Sequence, residues 1–443
     1  MTTSTETSSM GTASAGRLTA VQGTAMYLGA VVGTGVIALP ALAADAAGPA
    51  SLLAWLALVV LSAPLAATFA ALGARYPDAG GVSTYARLAF GERIAAVVGW
   101  CFYLSIPPGA AAAALFGGAY AASAFGGGTT AAVATAAALM AVVTTVNALG
   151  VRVTGRLQVV LSAMLVTLLL SSVALSLPHA RAGNLEPFAP HGWTAIGSAA
   201  LLLVWSFAGW EAITHLAGEF RRPERDLPRA TAAAVVLVGV LYLSVAFAVI
   251  AVLGPAAART SAPLGELMAV GLGGDARTLA TVPALLLTLG TMNTYYAGAA
   301  KLGAALGRDG AFPAWLARGS RAGQVPRRSL AVISGGGFAA LLLVAWTGVG
   351  EEPLVLLTTG CFVTVYAIGV GAALRLLPRR SKARPAALTG LIGVAALLAI
   401  SGRYLLWPLL ITAGALTYQR FRRRRPEDAD PAEEREPALE RGG

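Results

Sequence analysis

The sequence predicts an all-α integral membrane protein of about 12 transmembrane helices, the first and sixth of them discontinuous. Three observations carry this reading. Apolar residues run in long uninterrupted blocks, so that 56% of the 443 residues are hydrophobic against 12% charged, with a mean hydropathy of +0.70. The charge falls almost wholly between the blocks and gathers on alternate connections. Two blocks, holding Gly33–Gly35 and Gly209, carry glycine at matching depth when the chain is laid over itself with a shift of about 175 residues. A soluble chain of this length needs far more charge to cover its surface.

In order, the blocks long enough to cross a bilayer are 18–43, 49–74, 93–123, 130–149, 156–177, 194–217, 230–253, 278–302, 329–349, 353–376, 386–402 and 404–421. Each approaches or exceeds the length of about 17 to 25 residues that a spanning helix needs. Only "GRYL", around Arg403, parts the last two, which read either as a re-entrant pair or as two crossings. Residues 1–17 form a polar N-terminal tail without the charged, apolar and cleavage-site order of a signal peptide. Residues 422–443, "RRRRPEDADPAEEREPALERGG", read as a charged, disordered tail. Between the tails, the membrane region 18–421 divides into halves 18–177 and 194–376 followed by two further helices, 386–421.

Short cytoplasmic loops collect Lys and Arg. With alternate loops and both termini placed inside, only Arg181, Arg259, Arg277 and Arg403 of the 32 Lys and Arg fall outside. Both termini are therefore expected in the cytoplasm. The basic charge serves topology and anionic lipid headgroups, and no nucleic-acid partner is expected. Cys101 and Cys361 lie inside apolar blocks with no metal or disulfide spacing and read as buried thiols.

In "AVVGTGVIALP", residues 30–40, Gly33, Thr34 and Gly35 sit mid-helix with Pro40 beyond. Gly costs about 1 kcal/mol and Pro about 3 kcal/mol relative to Ala in a helix interior. Read alone, the glycines fit close helix packing; read as a break, they free backbone N–H groups suited to a carboxylate. A shift of about 175 residues lays this block over "LLLVWSFAGWEAITHLAG", where Gly209 falls at the matching depth in an oppositely oriented half, the pattern that points to a transporter site. There Glu211 is a carboxylate inside an apolar block, with His215 one turn on. Intramembrane ionisable groups are costly and rarely face lipid, so a functional role is the default reading, with a structural Glu–His bond that fastens two helices as the alternative. Carbonyls freed near Ser206 and Phe207 would suit an ammonium, so that the two breaks together describe an α-amino acid. Trp205, Trp210 and Tyr295 are candidate walls. Asn293, with Thr291 and Thr294 nearby, either meets substrate or holds helices. Asp45 reads as a solvated carboxylate.

"GTGVIA" resembles a fragment of a dinucleotide fingerprint but lacks the strand before it and the acidic residue after it. Metalloprotease, nucleophile-elbow and phosphate-loop motifs are absent from the sequence, which holds only 3 histidines. No enzyme activity, cofactor or metal is expected.

Four stretches together resemble the amino acid–polyamine–organocation (APC) transporter superfamily: "GAVVGTGVIALP", "RYPDAGGVSTYARLAFG", "WSFAGWEAITHLAGEFRRPERDLPRA" and "AAKLGAALGRDGAFPAWLA". They follow the family's order and spacing, and the wording is most similar to the bacterial L-methionine/branched-chain amino acid exporter branch. The resemblance implies a LeuT-like five-plus-five inverted repeat and alternating access. It places carboxylate binding on Gly33, Thr34 and Gly35, the sixth-span substrate face on Trp205, Ser206, Phe207, Ala208 and Gly209, a gating glutamate on Glu211 and an aromatic on Tyr295. Proton-coupled importers of the superfamily carry a lysine in the fifth span; "LQVVLSAMLVTLLL" has none and offers Met164 instead. With no second acidic residue in the pocket segments, the expected substrate is a neutral hydrophobic amino acid. The expected setting is a bacterial plasma membrane, with export as the direction and a proton gradient as a candidate for coupling.

Overall fold

The computed structural model describes residues 18–77, 80–150, 155–211, 220–318 and 325–422. Among them lie fifteen α-helices and no β-strand, only an isolated parallel bridge between Leu18 and Phe220. The first half holds α1 (Ala20–Val31), α2 (Gly35–Ala47), α3 (Ser51–Arg75), α4 (Val82–Phe90), α5 (Glu92–Phe125), α6 (Gly128–Ala148) and α7 (Gly155–Ser176). The second holds α8 (Ala195–Phe207), α9 (Pro223–Ala248), α10 (Pro263–Leu272), α11 (Arg277–Arg308), α12 (Arg327–Thr347) and α13 (Glu352–Leu376), followed by α14 (Ala383–Ile400) and α15 (Leu406–Arg422).

Every apolar block of the sequence holds helix, and the first holds two. Seven helical stretches among the described residues are long and apolar enough to cross a membrane. One of them, Gly35–Arg75, runs 41 residues, about twice the length one crossing needs. A turn at Gly48–Ala50, with Gly48 at φ 59°, divides it. Two helices lie outside the blocks because they are too short to register as spans. The shorter, α4, buries Val82, Tyr85, Ala86 and Ala89, the spacing of one helical face. The other, α10, buries Leu264, Leu267 and Met268 and packs on α7 and α11.

At the centre stands α5, against α4, α6, α11, α12, α13 and α15. Its run Ala110–Ala114 is buried throughout, and small residues let membrane helices approach closely where apolar area alone gives no net drive. Gly118 shows how closely: a methyl group there would lie 2.1 Å from the carbonyl oxygen of Ala132 on α6. On either side of Gly402, at φ 51°, the last two helices pack differently, α14 against α3 and α13, α15 against α5 and α13.

Pro40 stands inside α2 and is buried. It has no N–H to give, which leaves its turn a hydrogen bond short. Next to the defect, the Tyr120 hydroxyl of α5 donates to the Ile37 carbonyl at 2.6 Å and accepts from the Leu264 N–H at 3.3 Å. One buried phenol thus joins α2, α5 and α10.

Candidate functional site

The first break is short. Val32 donates to the Leu28 carbonyl at 2.8 Å as α1 ends, and Gly33 turns its N–H back to Val31 at 2.9 Å. Thr34 then takes helical dihedrals and opens α2 with no side chain capping its first turn. A helix start leaves its first N–H groups without intrahelical partners, and Gly33, Thr34 and Gly35 all face the cavity described below. The two glycines are not equivalent. A methyl at Gly35 would lie 2.5 Å from Ser206 Oγ and 2.7 Å from Trp205 Cδ1, whereas one at Gly33 would meet only Thr291, at 3.8 Å. Gly35 is where the two broken helices press together.

The second break follows Phe207. Ala208 is extended and Gly209 sits at φ 122°, a region that L side chains rarely adopt. A methyl at Gly209 would lie 2.9 Å from the Ala30 carbonyl oxygen, so this position lies against the last turn of α1. The Gly209 N–H lies 3.0 Å from both Glu211 Oε2 and the Tyr366 hydroxyl of α13, and that hydroxyl donates to Glu211. Trp210 is buried, donates to Ser62 Oγ at 3.1 Å and packs against Tyr27 with ring centroids 5.7 Å apart.

A cavity opens where the breaks meet. Ala30, Val31, Gly33, Thr34 and Gly35 line one side, and Trp205 and Ala208 the other. From α5 come Ser105, Ile106, Gly109, Ala110 and Ala113; α11 gives Thr291, Met292, Tyr295 and Tyr296; α13 gives Thr358 and Phe362. Among the described residues that line it, none is Asp, Glu, Lys, Arg or His. Tyr295, midway along α11, is 41% exposed because it faces this space.

The sequence candidates divide between the cavity and the wall behind it. Gly33, Thr34, Gly35, Trp205, Ala208 and Tyr295 line the cavity, as does Thr291. Ser206, Phe207, Gly209, Trp210 and Glu211 are buried behind that lining. The Ser206 carbonyl, expected to be free for an ammonium, lies 3.0 Å from the Tyr242 hydroxyl of α9, and the Phe207 carbonyl 3.5 Å from that of Tyr366. Asn293, two residues before Tyr295, faces about 200° away round the helix, where its Oδ1 accepts from Asn147 on α6 at 2.8 Å. Asp45 is exposed. His215 lies outside the described residues. Sequence reasoning missed Tyr242 and Tyr366. Tyrosines inside apolar blocks were the available signal, but nothing in the spacing pairs them with a break elsewhere in the chain. Cys101 and Cys361 are both buried free thiols.

Comparison with known proteins agrees with this geometry. The amino acid permease family model matches residues 18–431. The chain is 32% identical over 408 residues to the uncharacterized amino acid permease YecA of Bacillus subtilis, covering 91% of this chain and 95% of that one. It is 30% identical over 402 residues to the L-methionine/branched-chain amino acid exporter YjeH of Escherichia coli, covering 89% and 93%. The branched-chain amino acid permease BcaP of Bacillus subtilis is 22% identical over 240 residues, 50% of this chain and 52% of that one. Apolar helices around a cavity whose described lining lacks Asp, Glu, Lys, Arg and His, with the family model and two of these relatives along nearly the whole chain, lead to one conclusion: the protein belongs to the amino acid permease family and is a multi-pass membrane transporter rather than an enzyme.

Proposed function

We propose that the protein is a secondary transporter of neutral hydrophobic L-amino acids (methionine, leucine, isoleucine and valine) that works by alternating access across a bacterial plasma membrane. The observation that carries this reading is the meeting of two broken helices at a cavity whose described lining residues include no Asp, Glu, Lys, Arg or His. Uncapped amides at the start of α2 suit the substrate carboxylate. Hydroxyls of Thr34, Ser105, Thr291 and Thr358 surround the space and can meet its ammonium, while Ile106, Met292 and Phe362 offer an apolar seat for the side chain. Because the carbonyls of Ser206 and Phe207 already have phenolic neighbours, the ammonium is assigned to these hydroxyls and the remaining carbonyls of the first break.

Export is the preferred direction, supported by the likeness to the Escherichia coli exporter along most of both chains. The likeness to the Bacillus subtilis branched-chain permease covers half of each chain and keeps import or exchange as the second reading. The proposed topology has 12 crossings, a five-plus-five inverted repeat and both termini in the cytoplasm, in keeping with the Lys and Arg distribution. No cofactor or metal enters the mechanism. Coupling to protons is assigned to Glu211, the carboxylate whose partners, Gly209 and Tyr366, join the second break to α13.

Proteoliposomes loaded with labelled methionine or leucine test the reading. Release that accelerates under an imposed proton gradient and is competed by the four amino acids supports it. Binding without flux in either direction leaves a sensor, and flux driven only inward replaces export with import.

A further inference from the structure

Tyr242 stands on α9 with no exposed surface and takes no part in the cavity lining. Its hydroxyl lies 2.8 Å from the carbonyl oxygen of Val31, the last residue of α1, and 3.0 Å from that of Ser206, in the last turn of α8. These acceptors belong to the two different broken helices, and one phenolic proton serves both. The ring has little freedom to follow either of them. Trp55 of α3 meets it edge-on at 5.3 Å and Phe207 at 5.2 Å, with interplanar angles of 70° and 88°.

The backbone that Tyr242 holds from behind is the backbone that faces the cavity in front. Two residues after Val31 comes Gly33, and two after Ser206 comes Ala208, both in the lining. A change in the spacing of the two carbonyls therefore changes the width between the amides of the first break and the wall formed by Trp205 and Ala208.

We infer that Tyr242 is a positioning residue that sets the spacing of the two breaks, and with it the affinity for the backbone atoms common to all amino acid substrates. The inference rests on the transport function proposed above. Tyr242 touches no substrate, so it leaves discrimination between side chains unchanged.

Tyr242→Phe removes the hydroxyl and keeps the ring. In proteoliposomes, KM for methionine and for leucine is expected to rise together by about tenfold, the factor set by a net hydrogen bond of about 1.4 kcal/mol. Their ratio stays constant and the maximal rate moves by less than about twofold. Hydrogen exchange gives a readout that needs no substrate: amides of 34–37 and 206–211 exchange faster in Y242F while those of α5 do not. Exchange at the breaks equal to wild type overturns the proposal, as does a lower melting temperature with both KM values unchanged. If the wild-type protein moves no amino acid yet the breaks still exchange faster in Y242F, positioning stands and the transport reading falls. Should Y242F fail to insert, 3-fluorotyrosine at 242 keeps ring and hydroxyl and is the stronger donor. Slower exchange at both breaks supports the assignment, and an unchanged rate overturns it.

Discussion

At the first break, three consecutive backbone positions, Gly33, Thr34 and Gly35, face the cavity, and no side chain caps the turn that follows. At the second, the backbone groups around Phe207 are met from behind by Tyr242, Tyr366 and Glu211, and only Trp205 and Ala208 reach the cavity. The halves therefore share a plan and divide the labour. One opens an uncapped helix start toward whatever enters, the other is fastened to α13 through Tyr366 and Glu211, and Tyr242 of α9 holds a carbonyl of each. In a membrane interior an unpaired backbone group costs several kcal/mol, so polar groups left open toward a cavity are worth keeping only where a ligand or water takes them up.

The largest effect that would break this comparison is expected at Gly35. Gly35→Leu drives a side chain into Ser206 and Trp205 and should abolish methionine binding to protein that still inserts, whereas Gly33→Ala, with open space before it, should bind within about twofold of wild type. Equal behaviour of the two would mean that helix contact at Gly35 does not shape the site. Gly209→Ala comes next. Its φ of 122° and the nearby Ala30 carbonyl make a side chain strained, by about 1–3 kcal/mol for the dihedral alone, and thermal unfolding should fall accordingly. An unchanged melting temperature would remove glycine as the cause of the second break.

Glu211→Gln keeps the shape but replaces a carboxylate that accepts from both Gly209 and Tyr366. Hydrogen bonds to charged groups contribute about 1.5–3 kcal/mol, and the flux should lose its dependence on pH; a wild-type pH profile at normal turnover would make Glu211 a fastening only. The smallest effect on transport belongs to Asn293→Ala. It deletes the 2.8 Å bond to Asn147 and should cost about 1 kcal/mol of stability with KM unaltered; a raised KM would bring Asn293 to the substrate after all.

Much of the fold is legible in the sequence because membrane helices announce themselves by length and apolarity, which is why every block holds helix. The two breaks are legible as well, because Gly209 falls at the depth matching Gly33–Gly35 when the chain is laid over itself. What the blocks do not reveal are α4 and α10, too short to stand out by composition. The partners of the breaks are also hidden. Nothing local in "LYLSV" connects Tyr242 to Val31, 211 positions earlier, and nothing in "GTG" separates the crowded Gly35 from the open Gly33. Asn293 and Tyr295 look alike as polar residues at mid-span, and only the rotation of α11 sends one to α6 and the other to the cavity. The sequence therefore brings the two breaks to notice, while the division between cavity lining and support is a property of packing.

The uncharged lining has an electrical consequence. One elementary charge moved through a potential of 100 mV does work of about 2.3 kcal/mol, so a carrier with a fixed charge in its cavity would be pushed by the voltage whenever the cavity changed sides, loaded or empty. For the proposed zwitterionic substrate, described lining residues without Asp, Glu, Lys, Arg or His add no fixed charge to that movement. The amino acid's own step is then electrically silent, and a response to membrane voltage is left to Glu211 behind the lining and to an ion that travels with the substrate.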